Sequence, residues 1–140
     1  MPVVVAIRVE RSSTPGALES AAILNGGFGS EVPCLLLPRQ AALLLFPEYP
    51  AGMVPVGGAT AGGRATFLAS REELAARVRE PDRDGPAIAF RVVVSEHDDE
   101  ILVSDSGIDA LGVEVKKHGE GLWRFDGETR IRRSVPRRRW

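Results

Sequence analysis

Four places in this 140-residue chain hold residue types that could do chemistry. The first is Asn25-Gly26-Gly27, a tight turn at the end of an apolar run, where a carboxamide is presented on a backbone that needs positive φ or close approach. The second is Asp105-Ser106-Gly107, a carboxylate beside a hydroxyl, which reads as the capped start of a helix. The third, Glu96-His97-Asp98-Asp99-Glu100, has metal-ligand residue types. It lacks the spaced oxygens and central glycine of a calcium loop and the helical His spacing of a zinc hydrolase, so it reads as a solvated hairpin tip. The fourth is Cys34, the only cysteine, set among Val32, Pro33 and Leu35 to Leu37 and read as a small buried hydrophobe. A lone thiol cannot build a thiolate zinc site. No phosphate loop, dinucleotide fingerprint or nucleophile elbow is present, and neither a metal nor a cofactor is expected.

The elements that must position these residues are mostly strands. Pro2 to Glu10 is rich in Val and Ile, and Ala17 to Leu24 returns after the turn Arg11 to Gly16, which together predict an N-terminal hairpin. Val32 to Leu37 is a short apolar strand, and Pro38 can open a helix that Ala41 to Phe46 continues. Met53 to Val56 and Arg64 to Ala69 flank the small-residue stretch Gly57-Gly58-Ala59-Thr60-Ala61-Gly62-Gly63, expected as a mobile hairpin tip or loop. Ser70-Arg71-Glu72-Glu73 matches a helical capping box, yet Leu74 to Arg79 alternates like a strand, and the pattern leaves both open. Ala87 to Ser95 is a strand with Ile88, Phe90, Val92 and Val94 on one face. Ile101 to Val103 is a short buried strand, Ser104 or Asp105 caps a short helix through Leu111, and Gly112 stops it. Val113 to Val115 and Leu122 to Phe125 are the last strand candidates.

Composition bounds the class. Hydrophobic residues make up 44% and aromatics 6%, so the chain forms one globular domain with an aliphatic core. No apolar run is long enough for a signal core or a membrane span, which favours the cytoplasm. Net charge is −1, but six of the eighteen basic residues lie in 130–140, leaving the first 129 residues with twelve bases against nineteen acids. Residues 128–140 are therefore set apart as a basic tail on a domain of residues 1–127. The tail either pairs with the acidic surface of its own domain or simply stays solvated, which together are the favoured reading, or it offers arginines to nucleic acid.

The order of motifs from Ala17 to Phe46 resembles the retropepsin-like aspartic proteases, most closely compact single-domain members of archaeal type. That family has two apolar residues, an Asp-Thr/Ser-Gly triplet, a small polar turn, an apolar strand and a Leu-Pro step into a short helix. Here Ile23-Leu24 supply the apolar pair, Asn25-Gly26-Gly27 fall on the triplet, and Leu37-Pro38 make the step. Ile101 to Val113 is similar to the family's late strand, short helix and Leu-Gly exit. The likeness covers Val3 to Phe125 and leaves the basic tail outside.

The resemblance implies a mainly β fold, a small closed β-barrel of the acid-protease type with one or two short helices. It also implies a homodimer with one triplet from each copy on the twofold axis, the N-terminal hairpin and the last strands helping to form the interface. The hairpin carrying Gly57, Gly58, Gly62 and Gly63 would close over an extended peptide or protein segment. The departure is at the centre. In the family two aspartates share one proton and activate water, because like charges that close cannot both ionise. Asn25 takes no proton from water, and Gly26 removes the hydroxyl that braces the triplet. The expectation is a degenerate, inactive site. The alternatives are an active endopeptidase through Asp105 or a deamidated Asn25, and a nucleic-acid-associated protein using the tail.

Overall fold

The computed structural model describes residues 2–24, 28–60 and 63–140, with Ala59 and Thr60 described by their backbone alone. The expected N-terminal hairpin is formed by β1 (Val3–Glu10) and β2 (Ala17–Leu24), paired in register from Val3↔Leu24 to Glu10↔Ala17. Then come β3 (Cys34–Pro38), α1 (Arg39–Leu45), the hairpin β4 (Met53–Thr60) and β5 (Gly63–Ser70), β6 (Leu74–Val78), β7 (Ile88–Ser95) and β8 (Ile101–Val103). The chain continues through α2 (Asp105–Ala110), β9 (Val113–Lys117), β10 (Leu122–Phe125) and β11 (Arg132–Arg133).

The fold is mainly β. Six strands close a barrel in the order β3-β8-β2-β1-β6-β7, and β7 returns to pair with β3. Alternation fills it: Val3, Val5, Ile7 and Val9 from β1, Leu18, Ala22 and Leu24 from β2, Phe90, Val92 and Val94 from β7, and Ile101 and Val103 from β8 are all buried in one core. Each Val, Leu or Ile so buried contributes roughly 1.5–3 kcal/mol relative to an exposed one, which lets an aromatic-poor sequence hold its fold. β4 and β5 extend the sheet beyond β7, and β9, β10 and β11 form a second, three-stranded sheet. Trp123 and Phe125 of β10 enter the same core edge to face, their rings 5.0 Å apart at 81°.

The segment with two readings is resolved as strand. Ser70 Oγ accepts from the Glu72 N–H at 3.2 Å and donates to the Glu72 carbonyl at 2.9 Å, closing a turn rather than opening a helix. Leu74, Ala76 and Val78 then point inward between β1 and β7. A helix at this place would leave the facing edges of those two strands unpaired, at a cost the barrel avoids.

The glycine stretch, expected as a hairpin tip or loop, belongs to a hairpin whose paired strands reach further into it than expected. Gly57 and Gly58 lie within β4, opposite Thr66 and Ala65, and Gly63 begins β5. A Cβ on Gly58 would sit 3.0 Å from the Phe67 ring, so this glycine admits a cross-strand aromatic. Gly62 lies outside the described residues.

The basic segment is stitched into the domain. β11 pairs with β10, and Arg132 is buried at 3% exposure.

Candidate functional site

The site begins with a crossing of chains. β8 is inserted between β2 and β3, parallel to β2 (Leu24↔Val103) and antiparallel to β3 (Leu35↔Val103). The link from Leu24 to Cys34 must therefore pass over the end of β8, and the proposed triplet position falls in that link. Asn25, Gly26 and Gly27 themselves lie outside the described residues. Both flanks are described: Leu24 is buried, Phe28 is half-buried and Val32 is exposed.

One hydroxyl ties the start of β3 to the start of α2. Ser104, fully buried after β8, accepts from the Cys34 N–H at 3.0 Å and the Gly107 N–H at 3.2 Å, while Ser106 Oγ lies 3.3 Å away. The Ser104 N–H donates to the Cys34 carbonyl at 3.0 Å, and the next amide, that of Asp105, donates to the Phe28 carbonyl at 2.9 Å. The end of the turn, the start of β3 and the start of α2 are thus held by four hydrogen bonds within a few residues. A sequence signal for this existed in part, since Ser104 was a candidate helix cap. Its second bond, to Cys34, has no local signature.

Asp105-Ser106-Gly107 forms the first turn of α2, with Ser104 as the N-cap. Asp105 is exposed. Gly107 is buried, and a Cβ there would lie 2.6 Å from the Phe90 ring and 2.9 Å from a Val103 methyl. The glycine lets α2 close down on the barrel. Gly112, at φ 72°, ends the helix as expected.

The hairpin bearing Gly57, Gly58 and Gly63 joins the barrel where Leu68 and Ala69 pair with Val94 and Val93. β4 stands at the end of the sheet order.

Cys34 is 4% exposed, and burial pushes its thiol up to about 11, so at neutral pH it is a protonated, apolar group. The acidic residues of the 96–100 loop are directed to separate partners. Glu96 accepts from the Tyr49 hydroxyl at 2.8 Å, Asp98 from Ser95 Oγ at 2.6 Å, Asp99 from Arg139 at 2.8 Å and Glu100 from Arg137 at 2.8 Å. Among the described residues, no group of three or more His, Cys, Asp or Glu side chains could hold a metal ion. No helix among them is long and apolar enough to cross a membrane.

Arg130, Arg132, Arg137 and Arg139 meet the chain's own acids. Arg132 reaches Glu80, Asp82 and Glu128, Arg130 reaches Asp82, and Arg138 stacks 4.1 Å over the Trp140 ring. Hydrogen bonds from the Arg132 guanidinium hold Glu128 down at about 2 and Asp82 well below the usual carboxylate range. Arg137 lowers Glu100 in the same way. These depressed values set the sign of the acid response. In the native state the carboxylates bind fewer protons than in the unfolded chain, so their stabilisation is complete above about pH 4.5 and is lost as pH falls towards 2. Thermal unfolding midpoints are expected to hold level from pH 7 to 5 and to drop continuously below 4.5. A profile flat down to pH 3 would contradict this.

The chain matches no protein-family model and none of the curated proteins compared with it.

Proposed function

We propose that the chain is a retropepsin-like protein that acts as a homodimer, with Asn25 where the catalytic aspartate would stand. In this reading it binds an extended peptide or protein segment and does not cleave it. The observation that carries the reading is the insertion of β8 between β2 and β3, with Ser104 joining the end of β8 to the start of β3. This pairing fixes Leu24 and Cys34, between which Asn25 lies in the sequence, at one end of the barrel, and a site shared across a twofold axis requires such fixed supports. Two facing Asn25 amides can hydrogen-bond each other, so turn and dimer survive while the water-activating carboxylates are lost.

The ligand would add as a strand along β4, the last strand of the sheet. Its outer backbone edge supplies donors and acceptors, interrupted only at Pro55. Asp105 is less suited to catalysis than its sequence context implies, because its triplet is occupied in starting and seating α2. The paired state of Arg130, Arg132, Arg137 and Arg139 leaves the nucleic-acid reading with less free charge than the sequence offered.

Light scattering on the purified chain tests the assembly. The expected mass is twice that of the chain, and a monomer at every concentration would overturn the shared-site reading.

A further inference from the structure

The β4–β5 hairpin is joined to the barrel over a short stretch. Among the described residues, β5 pairs with β7 at Leu68↔Val94 and Ala69↔Val93, and Arg64 to Phe67 lie beyond those pairs with β4 as their strand neighbour. The hairpin is therefore an overhanging arm that turns about its base. Its two roots run into surface turns, 50–52 before β4 and 71–73 after β5, and the far ends of those turns meet the core at Tyr49 and at Leu74. A cavity of about 260 Å³ opens between the roots, with Arg11, Phe46, Glu48, Met53, Ser70 and Glu72 in its wall, so the turns have room to shift.

Arg11, from the β1–β2 turn, reaches both sides of this base. On the barrel side its Nη1 donates to the Leu45 carbonyl at 2.9 Å, its Nη2 lies 2.8 Å from Glu48, and the guanidinium stacks 4.5 Å over the Phe46 ring. On the arm side its Nε donates to Glu72 at 2.6 Å, and Ser13 of the same turn donates to the same carboxylate oxygen at 2.9 Å. Ser70 Oγ in turn ties both backbone groups of Glu72 to the end of β5. The Arg11 side chain is 12% exposed, so solvent and salt screen this contact less than one at the rim. Only a planar guanidinium presents donors in these several directions at once.

We propose that Arg11 is a positioning residue that fastens Glu72 to the barrel frame and so sets the angle of the β4–β5 arm. Glu48 belongs to the frame, since it precedes the core anchor Tyr49. Glu72 lies in the turn that must flex when the arm swings, between Ser70 and the core anchor Leu74. The contact to Glu72 therefore holds the arm, and the contacts to Leu45, Phe46 and Glu48 hold Arg11. The consequence for ligand binding, through access to the β4 edge, rests on the strand addition proposed above. The angle of the arm is measured without a ligand.

The test is pulsed dipolar spectroscopy on the full chain, with spin labels at Arg64→Cys on the arm and Ala89→Cys on β7, both exposed positions. Cys34 is buried and stays unlabelled. Thermal unfolding checks that each variant is folded, because a loss of stability alone does not widen the distances within a folded protein. Arg11→Gln and Glu72→Ala are each expected to widen the wild-type distance distribution about twofold, as a released hinge does. Arg11→Lys keeps the charge without the fork and is expected to fall between, while Glu48→Ala stays near the wild-type width. If Arg11→Gln does not fold, Glu72→Ala carries the same prediction. Wild-type widths in the folded Arg11→Gln or Glu72→Ala chains overturn the proposal, and so does equal broadening by Glu48→Ala. Absence of peptide binding would overturn the ligand reading above and leave these widths as expected.

Discussion

Replacing Arg132 by leucine is expected to lower the unfolding free energy by about 3 kcal/mol. The guanidinium serves three carboxylates at once. Its Nη1 lies 2.7 Å from Asp82 and 3.1 Å from Glu80, its Nε lies 2.6 Å from Glu128, and Nη2 reaches both Asp82 at 2.8 Å and Glu128 at 3.0 Å. It also stacks 5.0 Å from the Phe125 ring centroid. Leucine replaces the stem and fills part of the volume. It leaves Glu80 without a counter-ion and leaves Asp82 and Glu128 only the exposed Arg130 at 3.1 Å and Arg83 at 3.8 Å, while Glu80 and Glu128 are largely shielded from water. That remaining repulsion, more than the lost attraction, decides the magnitude. Lysine restores the charge but cannot form the fork, so Arg132→Lys should fall between the two. Urea unfolding measures the loss. The same variant should shed much of the decline below pH 4.5, because Glu128 returns to an ordinary value. A loss under about 1 kcal/mol would mean that the cluster is solvated and the tail only loosely attached.

Ser104→Ala is the second large effect, at about 2–3 kcal/mol. One neutral hydrogen bond contributes roughly 1 kcal/mol net, and a helix cap about the same. Here a single hydroxyl satisfies the buried amides of both Cys34 and Gly107. Its removal strands two donors away from water, and each stranded donor costs about 1–3 kcal/mol. Hydrogen exchange should show the Cys34 and Gly107 amides losing protection before the rest of the barrel. Because Ser104 and the neighbouring Asp105 amide hold Cys34 and Phe28, which follow residues 25–27, ligand binding should weaken along with stability. Retained protection at both amides would show that α2 and β3 are placed by packing alone.

The parts of the fold legible in the sequence are those decided by neighbours in the chain. Alternation in Val3 to Glu10 and Ile88 to Val94 set two barrel strands on the correct face, and Ser104 with Gly112 marked the limits of α2. The parts that were not legible are decided by distant partners. Ser70 to Val78 carries both a capping box and an alternation, and only the gap between β1 and β7 selects the strand. Gly57 and Gly58 read as loop because nothing local announces Phe67 across the hairpin. Arg132 read as one charge of a basic tail, since Glu80, Asp82 and Glu128 converge on it only in the folded chain.

The central claim is that Asn25-Gly26-Gly27 is a protease turn without its carboxylate. The direct measurement is cleavage of an unfolded protein substrate by the Asn25→Asp/Gly26→Thr variant at mildly acidic pH, beside the wild type. Two restored carboxylates at a twofold axis would share a proton and activate water. The account predicts pepstatin-sensitive cleavage by the variant and none by the wild type. A folded, dimeric variant that cleaves nothing, or a wild type that cleaves as well as the variant, would contradict it.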